Sequence, residues 1–464
     1  MISKTKRTRV FVFLAFVSAA CFAAPTALAS TVEVGTCVSA PLHFTSIQAA
    51  VTAAPLGGTV EICPGTYYEQ VVILKAVTLT GIQSGTGDAA VILPPATGLV
   101  ANGTDIFGNS VAAQIFVNNV VGGVTIERLT IDGTGNDLAG CGPPMLEGIY
   151  YQNSSGTITN NVVRNQYLSD YAVYGGCQNG LAINVESTGS SDAVTVSTNS
   201  VRAYQKNGIT ASGAGTGAGS LGPSVTISNN HIVGLAATAM NWQGVFSSEA
   251  TAAENGVQVG YGATGTVETN VINDNIWGQD TSSDTGDAAS GILIFASPGI
   301  TVTGNQVGST QFGIALDTDG FGFCGTSNAS ISCGTADRAM VTQNKVEGTE
   351  LFDGVDACSN GNTIESNTFY GSTESGVHVD DTCTSLTYST TSGNNNTVMK
   401  NVILEACAGI LLGTGTGNTT APNTLFDVTN TTLAGDVCPA PSADVTSRRL
   451  SSKARPSPYR PTRK

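Results

Sequence analysis

Two short strand-like patterns alternate along the middle of the chain. In the first, apolar and polar residues alternate and are followed by Asn and another apolar residue, as in residues 194–201 (VTVSTNSV) and 225–232 (VTISNNHI). In the second, Gly is followed by an apolar residue, any residue and a further apolar residue, as at Gly256 and Gly376. Alternation with a period of two is typical of β-strands. Because both patterns recur along most of the chain, they predict a stack of repeated coils.

The Asn of the first pattern recurs at a fixed place in the repeat. Its positions are Asn161, Asn199, Asn230, Asn270, Asn305, Asn344, Asn367 and Asn401. Asn tolerates the left-handed conformation that a sharp turn requires, and stacked carboxamides hydrogen-bond from coil to coil. We therefore expect these residues to occupy turns and to form a ladder, instead of being merely common turn residues. The segments between the strands lack helical periodicity, which argues against an alternating strand-helix fold.

The first 29 residues predict a secretory signal. They combine a basic start, an apolar run from Val10 and small residues at Ala27 and Ala29, which is the arrangement of a cleaved signal peptide. The mature protein is then expected to be secreted or periplasmic. No later stretch of the sequence is long and apolar enough for a bilayer span, so we do not expect an integral membrane protein.

A short helix is predicted before the first repeat. The segment FTSIQAAVTAAP places Ile47, Ala50 and Val51 on one helical face, with Thr45 or Ser46 as its N-cap. A helix at this place covers the open end of a stack of coils, which otherwise exposes strand edges and apolar core.

Charge is distributed unevenly along the chain. Eleven of the 19 lysines and arginines lie in the signal segment and in the last 21 residues, so the β domain predicted over residues 30–443 holds eight of them against 33 of the 34 acidic residues, a formal charge of −25. Such a surface repels nucleic acid, and we expect no nucleic-acid partner. The plainer interpretation of this charge is solubility. Residues 444–464 are basic and rich in Pro, and we expect a disordered tail there.

Ten cysteines remain after the predicted signal is removed. An even number in an exported chain favours disulfides, and the absence of CxxC spacing argues against structural zinc. Pairing of sequence neighbours gives Cys37–Cys63, Cys141–Cys177, Cys324–Cys333, Cys358–Cys383 and Cys407–Cys438. Spacing alone does not fix this connectivity.

The repeats and the opening segment, residues 44–71, resemble the right-handed parallel β-helix superfamily, often called pectin-lyase-like. The resemblance covers nearly the whole mature chain. It implies an all-β, single-domain right-handed parallel β-helix solenoid with a short N-terminal capping helix. The superfamily includes lyases, hydrolases, esterases, epimerases, adhesins and binding proteins, so the resemblance does not by itself select a function.

Alignment of the Gly strands places a group of acids on one outward face. Asp356 and His378 fall on adjacent rungs about 4.8 Å apart, Asp380 lies beside them, and Asp317 lies about two rungs away. A His beside an Asp is suited to acid or base catalysis near neutral pH, and two acids at a suitable separation hydrolyse glycosidic bonds. Acids on the outer face of a β-helix are where the resemblance implies sugar chemistry. The alternative is a solvated acidic face on an acidic protein.

Two further acids flank this group at the strand ends, namely Asp319 and Asp381. Residues 317–320 (DTDG) are similar to the start of a calcium loop, which makes Asp317 and Asp319 the candidate ligands of a bound calcium ion, although the later ligands of an EF-hand are missing. No other cofactor is expected.

The signatures of single enzyme families are incomplete. Similarity to polygalacturonases is limited to Asp317-Thr318-Asp319 and Asp380-Asp381, without a Gly-His-Gly or an Arg-x-Lys. Pectin methylesterases are similar at the opening segment, and residues 104–108 (TDIFG) faintly resemble their aspartate motif. Pectate lyases use an arginine base with calcium, for which Arg338 and Lys345 are the nearby basic candidates.

Two functions therefore remain open. One is an exported lyase, epimerase or hydrolase acting on an acidic polysaccharide. The other is a non-catalytic surface or matrix protein that binds glycans and uses the coils as a rigid scaffold. Both predict a polysaccharide partner and a monomer.

Overall fold

The computed structural model describes residues 31–83, 88–170, 177, 179–188, 192–214, 222–235, 254–276, 289–317, 336–349, 352–380 and 393–435. These residues form one helix, α1 (Ile47–Ala53), and 36 strands. The first twelve strands are β1 (Thr31–Val34), β2 (His43–Phe44), β3 (Gly58–Ile62), β4 (Gly65–Tyr68), β5 (Val71–Ile73), β6 (Val77–Gly81), β7 (Ala90–Leu93), β8 (Gly103–Thr104), β9 (Ser110–Asn118), β10 (Val124–Glu127), β11 (Thr130–Asp132) and β12 (Met145–Gln152). The next twelve are β13 (Gly156–Thr159), β14 (Val162–Gln166), β15 (Leu181–Ser187), β16 (Ala193–Ser197), β17 (Ser200–Tyr204), β18 (Asn207–Gly213), β19 (Ser224–Ser228), β20 (His231–Val233), β21 (Asn255–Gly260), β22 (Thr264–Glu268), β23 (Val271–Asn275) and β24 (Ser290–Phe295). The last twelve are β25 (Thr301–Thr303), β26 (Gln306–Thr310), β27 (Phe312–Asp317), β28 (Met340–Thr342), β29 (Lys345–Thr349), β30 (Val355–Ala357), β31 (Thr363–Glu365), β32 (Thr368–Tyr370), β33 (Ser375–Val379), β34 (Thr397–Met399), β35 (Val402–Leu412) and β36 (Thr424–Ala434).

The strands stack in three parallel ladders, and each full coil contributes one strand to each ladder. Ladder 1 is formed by β2, β1, β3, β6, β10, β13, β16, β19, β22, β25, β28, β31 and β34. Ladder 2 is formed by β4, β7, β11, β14, β17, β20, β23, β26, β29, β32 and the start of β35. Ladder 3 is formed by β5, β9, β12, β15, β18, β21, β24, β27, β30, β33 and the end of β35. The long strands β35 and β36 run through both of the last two ladders and join them into one sheet.

The core lies inside the coils and is built from aligned aliphatic side chains. On ladder 3, Ile209, Val257, Ile292, Ile314 and Val355 occupy one register position on successive rungs, and each is fully buried. Strand alternation places every second residue inside, so the residues between them point outward. This explains why the sequence shows a period of two even though the sheet is parallel.

The recurring Gly of the second pattern lies at the corner where a coil enters ladder 3. A Cβ on Gly256 would come within 2.4 Å of Ile272 Cγ2, and one on Gly291 within 2.3 Å of Val307 Cγ1. Both contacts are with a core side chain of the next coil. A larger residue is therefore excluded by packing at these corners.

The Asn ladder predicted from the first pattern is confirmed. Asn270 Nδ2 donates to Asn305 Oδ1 at 3.0 Å, and Asn305 Nδ2 donates to Asn344 Oδ1 at 2.9 Å. The chain of such bonds runs from Asn161 to Asn423. The expected left-handed conformation of these residues is wrong, because the residue before each ladder position takes it instead, as at Thr198 (φ 59°) and Thr269 (φ 54°). That residue makes the turn, which leaves the Asn side chain free to point inward and stack.

Helix α1 and its N-cap are also confirmed. Ser46 is the N-cap, and Ile47, Ala50 and Val51 are the buried residues of the helix. Glu69 holds the first turn, since its carboxylate accepts hydrogen bonds from Ile47 N at 2.8 Å and from Gln48 N at 3.0 Å. Within the part of the chain that the structure describes, no helix has the length and apolar character of a membrane span.

Two of the predicted disulfides are observed, namely Cys37–Cys63 and Cys141–Cys177. Cys358 and Cys407 are also disulfide-bonded. Their predicted partners, Cys383 and Cys438, lie outside the described residues, as do both cysteines of the predicted pair Cys324–Cys333.

Candidate active site on ladder 3

The outward residues of ladder 3 align in the columns that the Gly pattern predicts. Leu293 pairs with Ala315, Ala315 with Asp356, and Asp356 with His378 on successive rungs. The backbone N–H of Asp380 donates to Ala357 O at 3.2 Å, which places Asp380 in the neighbouring outward column. The structure thus brings Asp356, His378 and Asp380 together on one outer face.

A third acid, Asp353, joins this group. Its Oδ2 lies 3.4 Å from His378 Nδ1, while its Oδ1 accepts hydrogen bonds from Ser375 N at 2.9 Å and Ser375 Oγ at 2.5 Å. Ser375 therefore fixes the carboxylate that orients the imidazole ring. We call Asp353, Asp356, His378 and Asp380 the Asp–His cluster.

Asp353 was not predicted from the sequence, although the sequence contains a signal for it. The residue directly precedes a corner Gly, Gly354, just as Ser375 precedes Gly376. Because the chain bends at that Gly, a residue before the corner and a residue three positions later lie side by side on ladder 3. Asp353 and Asp356 have this spacing.

The Asp–His cluster is compact and well shielded. Oxygen or nitrogen atoms of Asp353, Asp356 and His378 lie within 4.8 Å of one another, and the same limit holds between Asp356 and Asp380. The exposed fraction is 1% for Asp353, 8% for Asp356, 4% for His378 and 7% for Asp380. His378 Nε2 is buried and has no hydrogen-bond partner among the described residues.

Burial and the three acids act in opposite directions on His378. Burial lowers the pKa of His378, but the hydrogen bond to Asp353 and the charges of Asp353, Asp356 and Asp380 outweigh it and raise the pKa to about 10. The imidazole is therefore positively charged at neutral pH. This state suits a proton donor or an electrostatic partner better than a general base.

The surroundings of Asp356 favour its uncharged form, whereas those of His378 favour its charged form. Burial and then the charge of Asp380 raise the pKa of Asp356 well above its ordinary value, and the nearby His378 only partly offsets them. These effects favour the protonated form of Asp356, which lies beside Asp380. A protonated acid next to a carboxylate is the arrangement that enzymes use for combined acid and base chemistry.

Of the other predicted site residues, the structure describes only Asp317. Asp317 ends β27, is half-buried and contributes to the raised pKa of Asp356. Asp319 and Asp381 lie outside the described residues, so the calcium site expected at Asp317 and Asp319 stays a prediction. Within the described chain, a further trio close enough to hold a metal ion is Asp353, Asp356 and His378.

The two basic candidates lie on other ladders. Arg338 stands in the turn before β28 on ladder 1. Lys345 begins β29 on ladder 2, and its Nζ lies 2.6 Å from Glu347 Oε1. Neither is placed to act as the base that the resemblance to pectate lyases implied.

Comparison with solved structures shows which architecture the coils form. The chain aligns with the GH136 lacto-N-biosidase from Eubacterium ramulus at a TM-score of 0.58 and 12% identity, over 86% of this chain and 67% of that one. It aligns with the catalytic domain of a GH87 α-1,3-glucanase at a TM-score of 0.51 and 11% identity, over 88% and 68%. For the Dettilon tailspike protein the TM-score is 0.50 at 13% identity, over 80% of this chain and 62% of that one, so the chain spans under two thirds of the tailspike.

The chain is a right-handed parallel β-helix. The all-β, single-domain solenoid expected from the repeats is thereby confirmed. At these identities the similarity extends to the fold alone. No protein-family model matches the sequence, and comparison with curated proteins gives no match either.

A second acid cluster lies nearer the N-terminal end of ladder 3 of the β-helix, and it was missed from the sequence. It consists of Glu147, Asn184 and Glu186, which we call the Glu–Asn–Glu cluster. Asn184 pairs with Tyr150 on the adjacent rung, and Tyr150 Oη donates to Glu186 Oε2 at 2.5 Å. Glu147 precedes the corner residue Gly148, so the positional signal is the same as for Asp353.

Proposed function

We propose that the β-helix is an exported carbohydrate-active enzyme and that the Asp–His cluster is its active centre. The observation that carries this proposal is the pair Asp356 and Asp380, whose oxygens approach within 4.8 Å on the outer face of ladder 3. Burial and then the charge of Asp380 raise the pKa of Asp356, which favours its protonated form. A carboxylic acid with a raised pKa close to a second carboxyl group is the minimal equipment for acid-assisted hydrolysis of a glycosidic bond.

The geometry supports a separate role for each residue. Asp356, held protonated, donates a proton to the leaving oxygen. Asp380 acts as the nucleophile or as the base that activates water. His378, as an imidazolium, stabilises negative charge on the carboxylates, and Asp353 positions its ring.

Hydrolysis fits this face better than elimination or epimerisation of a uronate. Those two reactions require a cation to neutralise the substrate carboxylate while a base removes a proton. Near this end of the β-helix, the described lysines and arginines are Arg338, Lys345 and Lys400, and they lie on or beside ladders 1 and 2. A neutral glycan is therefore the favoured substrate, and the experiment below also includes acidic polysaccharides.

Two further observations support the substrate class and the location. The solved structures with TM-scores of 0.50 or more include proteins named as a lacto-N-biosidase and an α-1,3-glucanase. The disulfides Cys37–Cys63 and Cys141–Cys177 suit an oxidising compartment. We accordingly propose export through cleavage of residues 1–29, with residues 30–443 as the working domain.

Product chromatography tests the proposal. The purified mature protein would be incubated with neutral and acidic polysaccharides from plants, algae and bacteria, with and without calcium. Shortened chains with an ordinary reducing end support a hydrolase. Products with an unsaturated end would show that the enzyme is a lyase and not a hydrolase. Polysaccharides that stay intact but are bound by the protein would favour the non-catalytic scaffold.

A further inference from the structure

We propose that the Glu–Asn–Glu cluster is a binding site for a divalent, oxygen-seeking cation of the calcium class. The site is separate from the Asp–His cluster. Five rung steps separate Asn184 from Asp356 along the same outward column, through Thr210, Gln258, Leu293 and Ala315, a distance of about 24 Å. The inference therefore stands whether or not the proposed activity is found.

A carboxamide lies between the two carboxylates of this cluster. Asn184 Nδ2 donates to Glu147 Oε1 at 2.9 Å and to Glu186 Oε1 at 3.1 Å. The exposed fraction is 1% for Glu147, 0% for Asn184 and 4% for Glu186. Three oxygen-bearing side chains are thus gathered in a nearly closed space.

Two oxygens in this space have no hydrogen-bond partner, namely Glu147 Oε2 and Asn184 Oδ1. Both donors of the Asn184 amide are used on the carboxylates, so its oxygen is left to face something else. A buried acceptor without a donor costs about 1–3 kcal/mol. A bound cation accepts electron pairs from both oxygens and removes that cost.

The charges of the cluster also lack a counterion. Within the described part of the chain, the ion pairs of lysine, arginine and histidine are made with acids other than Glu147 and Glu186. A bound cation would supply a positive charge beside these two buried acids.

An ion fits the enclosure better than a sugar ring. The segment after β8 covers the cluster, because Ile106 N donates to Glu186 Oε2 at 3.1 Å and the neighbouring Phe107 packs edge-on against Tyr261 at 5.3 Å. Carboxylate, carboxamide and hydroxyl oxygens without nitrogen or sulfur ligands are the donor set of calcium, whereas zinc prefers His and Cys.

Calorimetry and thermal unfolding of the full mature chain test the site. After treatment with a chelator, added Ca²⁺ should bind and raise Tm by roughly 3–6 °C at saturation. Glu147→Gln should weaken binding at least about tenfold. Asp356→Asn is the matched control and should leave the calcium response unchanged. Gln has nearly the same shape as Glu, so the chelated Glu147→Gln protein should keep its Tm, and Glu186→Gln provides a second variant.

Terbium luminescence locates the ion independently. Tyr150 contacts Glu186, so excitation of tyrosine should sensitise Tb³⁺ bound at the cluster. Tyr150→Phe should reduce that emission more than it reduces Tb³⁺ binding measured by calorimetry. The proposal is overturned if Ca²⁺ neither binds nor shifts Tm, or if binding survives Glu147→Gln and Glu186→Gln but is lost in Asp356→Asn.

Discussion

His378 shows most clearly how neighbours decide the chemistry of one residue. From the sequence it was a histidine next to acids, with an ordinary pKa near neutrality. The fold encloses it among Asp353, Asp356 and Asp380, and these charges raise its pKa to about 10 despite its burial. The proposed role consequently changes from a neutral-pH acid or base to a fixed cation that balances the carboxylates.

The pH dependence of folding should report this charge. The folded-state pKa of about 10 lies above the ordinary value of 6.5, so His378 contributes its full stabilisation below about pH 6.5 and loses it as the pH rises through about 10. We expect the wild-type protein to lose roughly 2–4 kcal/mol more than His378→Gln between these limits. Urea unfolding of both proteins at several pH values measures the difference, and parallel curves would refute it.

The site residues that the sequence did not predict are mainly those that directly precede the corner glycines. Asp353 and Glu147 both occupy that position, yet strand alternation alone assigns them to the inner face. The bend at the Gly turns them outward, beside the residue three positions later. Alternation therefore predicts the middle of each strand correctly and fails at the corner, where backbone direction changes.

At the scale of elements, the Asn ladder joins the coils more regularly than any other side-chain contact described. Asn305 accepts hydrogen bonds from the N and Nδ2 of Asn270 at 3.0 Å, and its own Nδ2 donates to Val267 O and Asn344 Oδ1 at 2.9 Å. The sequence predicted this ladder because the Asn recurs in register. The sequence did not reveal that the residue before each ladder Asn makes the turn, since that residue is itself Asn at some coils and Thr at others, as at Asn229 and Thr269.

Removal of a central ladder residue should be costly. Asn305→Ala leaves several buried polar groups unpaired, and we expect a loss of about 2–5 kcal/mol in the free energy of unfolding. Asn423 is the matched control, because it ends the ladder and is only partly buried, so Asn423→Ala should cost less than half as much. Chemical denaturation of both variants decides between this account and one in which the ladder is incidental.

The capping helix depends on one acid that carried no motif in the sequence. Glu69 accepts hydrogen bonds from Ser46 Oγ, Ile47 N and Gln48 N, so it satisfies free N–H groups at the start of α1. Glu69→Ala should lower stability by about 1–3 kcal/mol. Glu61→Ala, on the nearby strand β3, should change Tm much less, and equal effects would contradict a capping role.

At the scale of the whole molecule, the repeats were sufficient to predict the architecture. The first pattern covers a ladder 1 strand, the Asn turn and the start of a ladder 2 strand, and the second covers a ladder 3 strand, so their alternation in register yields three parallel ladders. The candidate site was predictable in part for the same reason, because register alone aligned Asp356 with His378. Its protonation states were not predictable, since they depend on burial and on Asp353, which only the folded coil brings into contact.

The overall charge separates the substrate classes at the same scale. A formal charge of −25 over residues 30–443 repels a polyanion except where cations intervene. Neutral glycans avoid this penalty, which agrees with a cluster that carries carboxyl groups and one imidazolium. The charge and the site therefore favour the same class of partner.

The most direct test of the central claim is the turnover of Asp356→Asn on whichever glycan the wild-type protein cleaves. Asn keeps the shape of the side chain and cannot donate the required proton, so kcat should fall by about 10²–10⁴ while Tm changes little. Glu347→Gln, an exposed acid on ladder 2 with a side chain 50% exposed, should retain full activity. Undiminished turnover by a folded Asp356→Asn protein would contradict the assignment of the Asp–His cluster as the active centre.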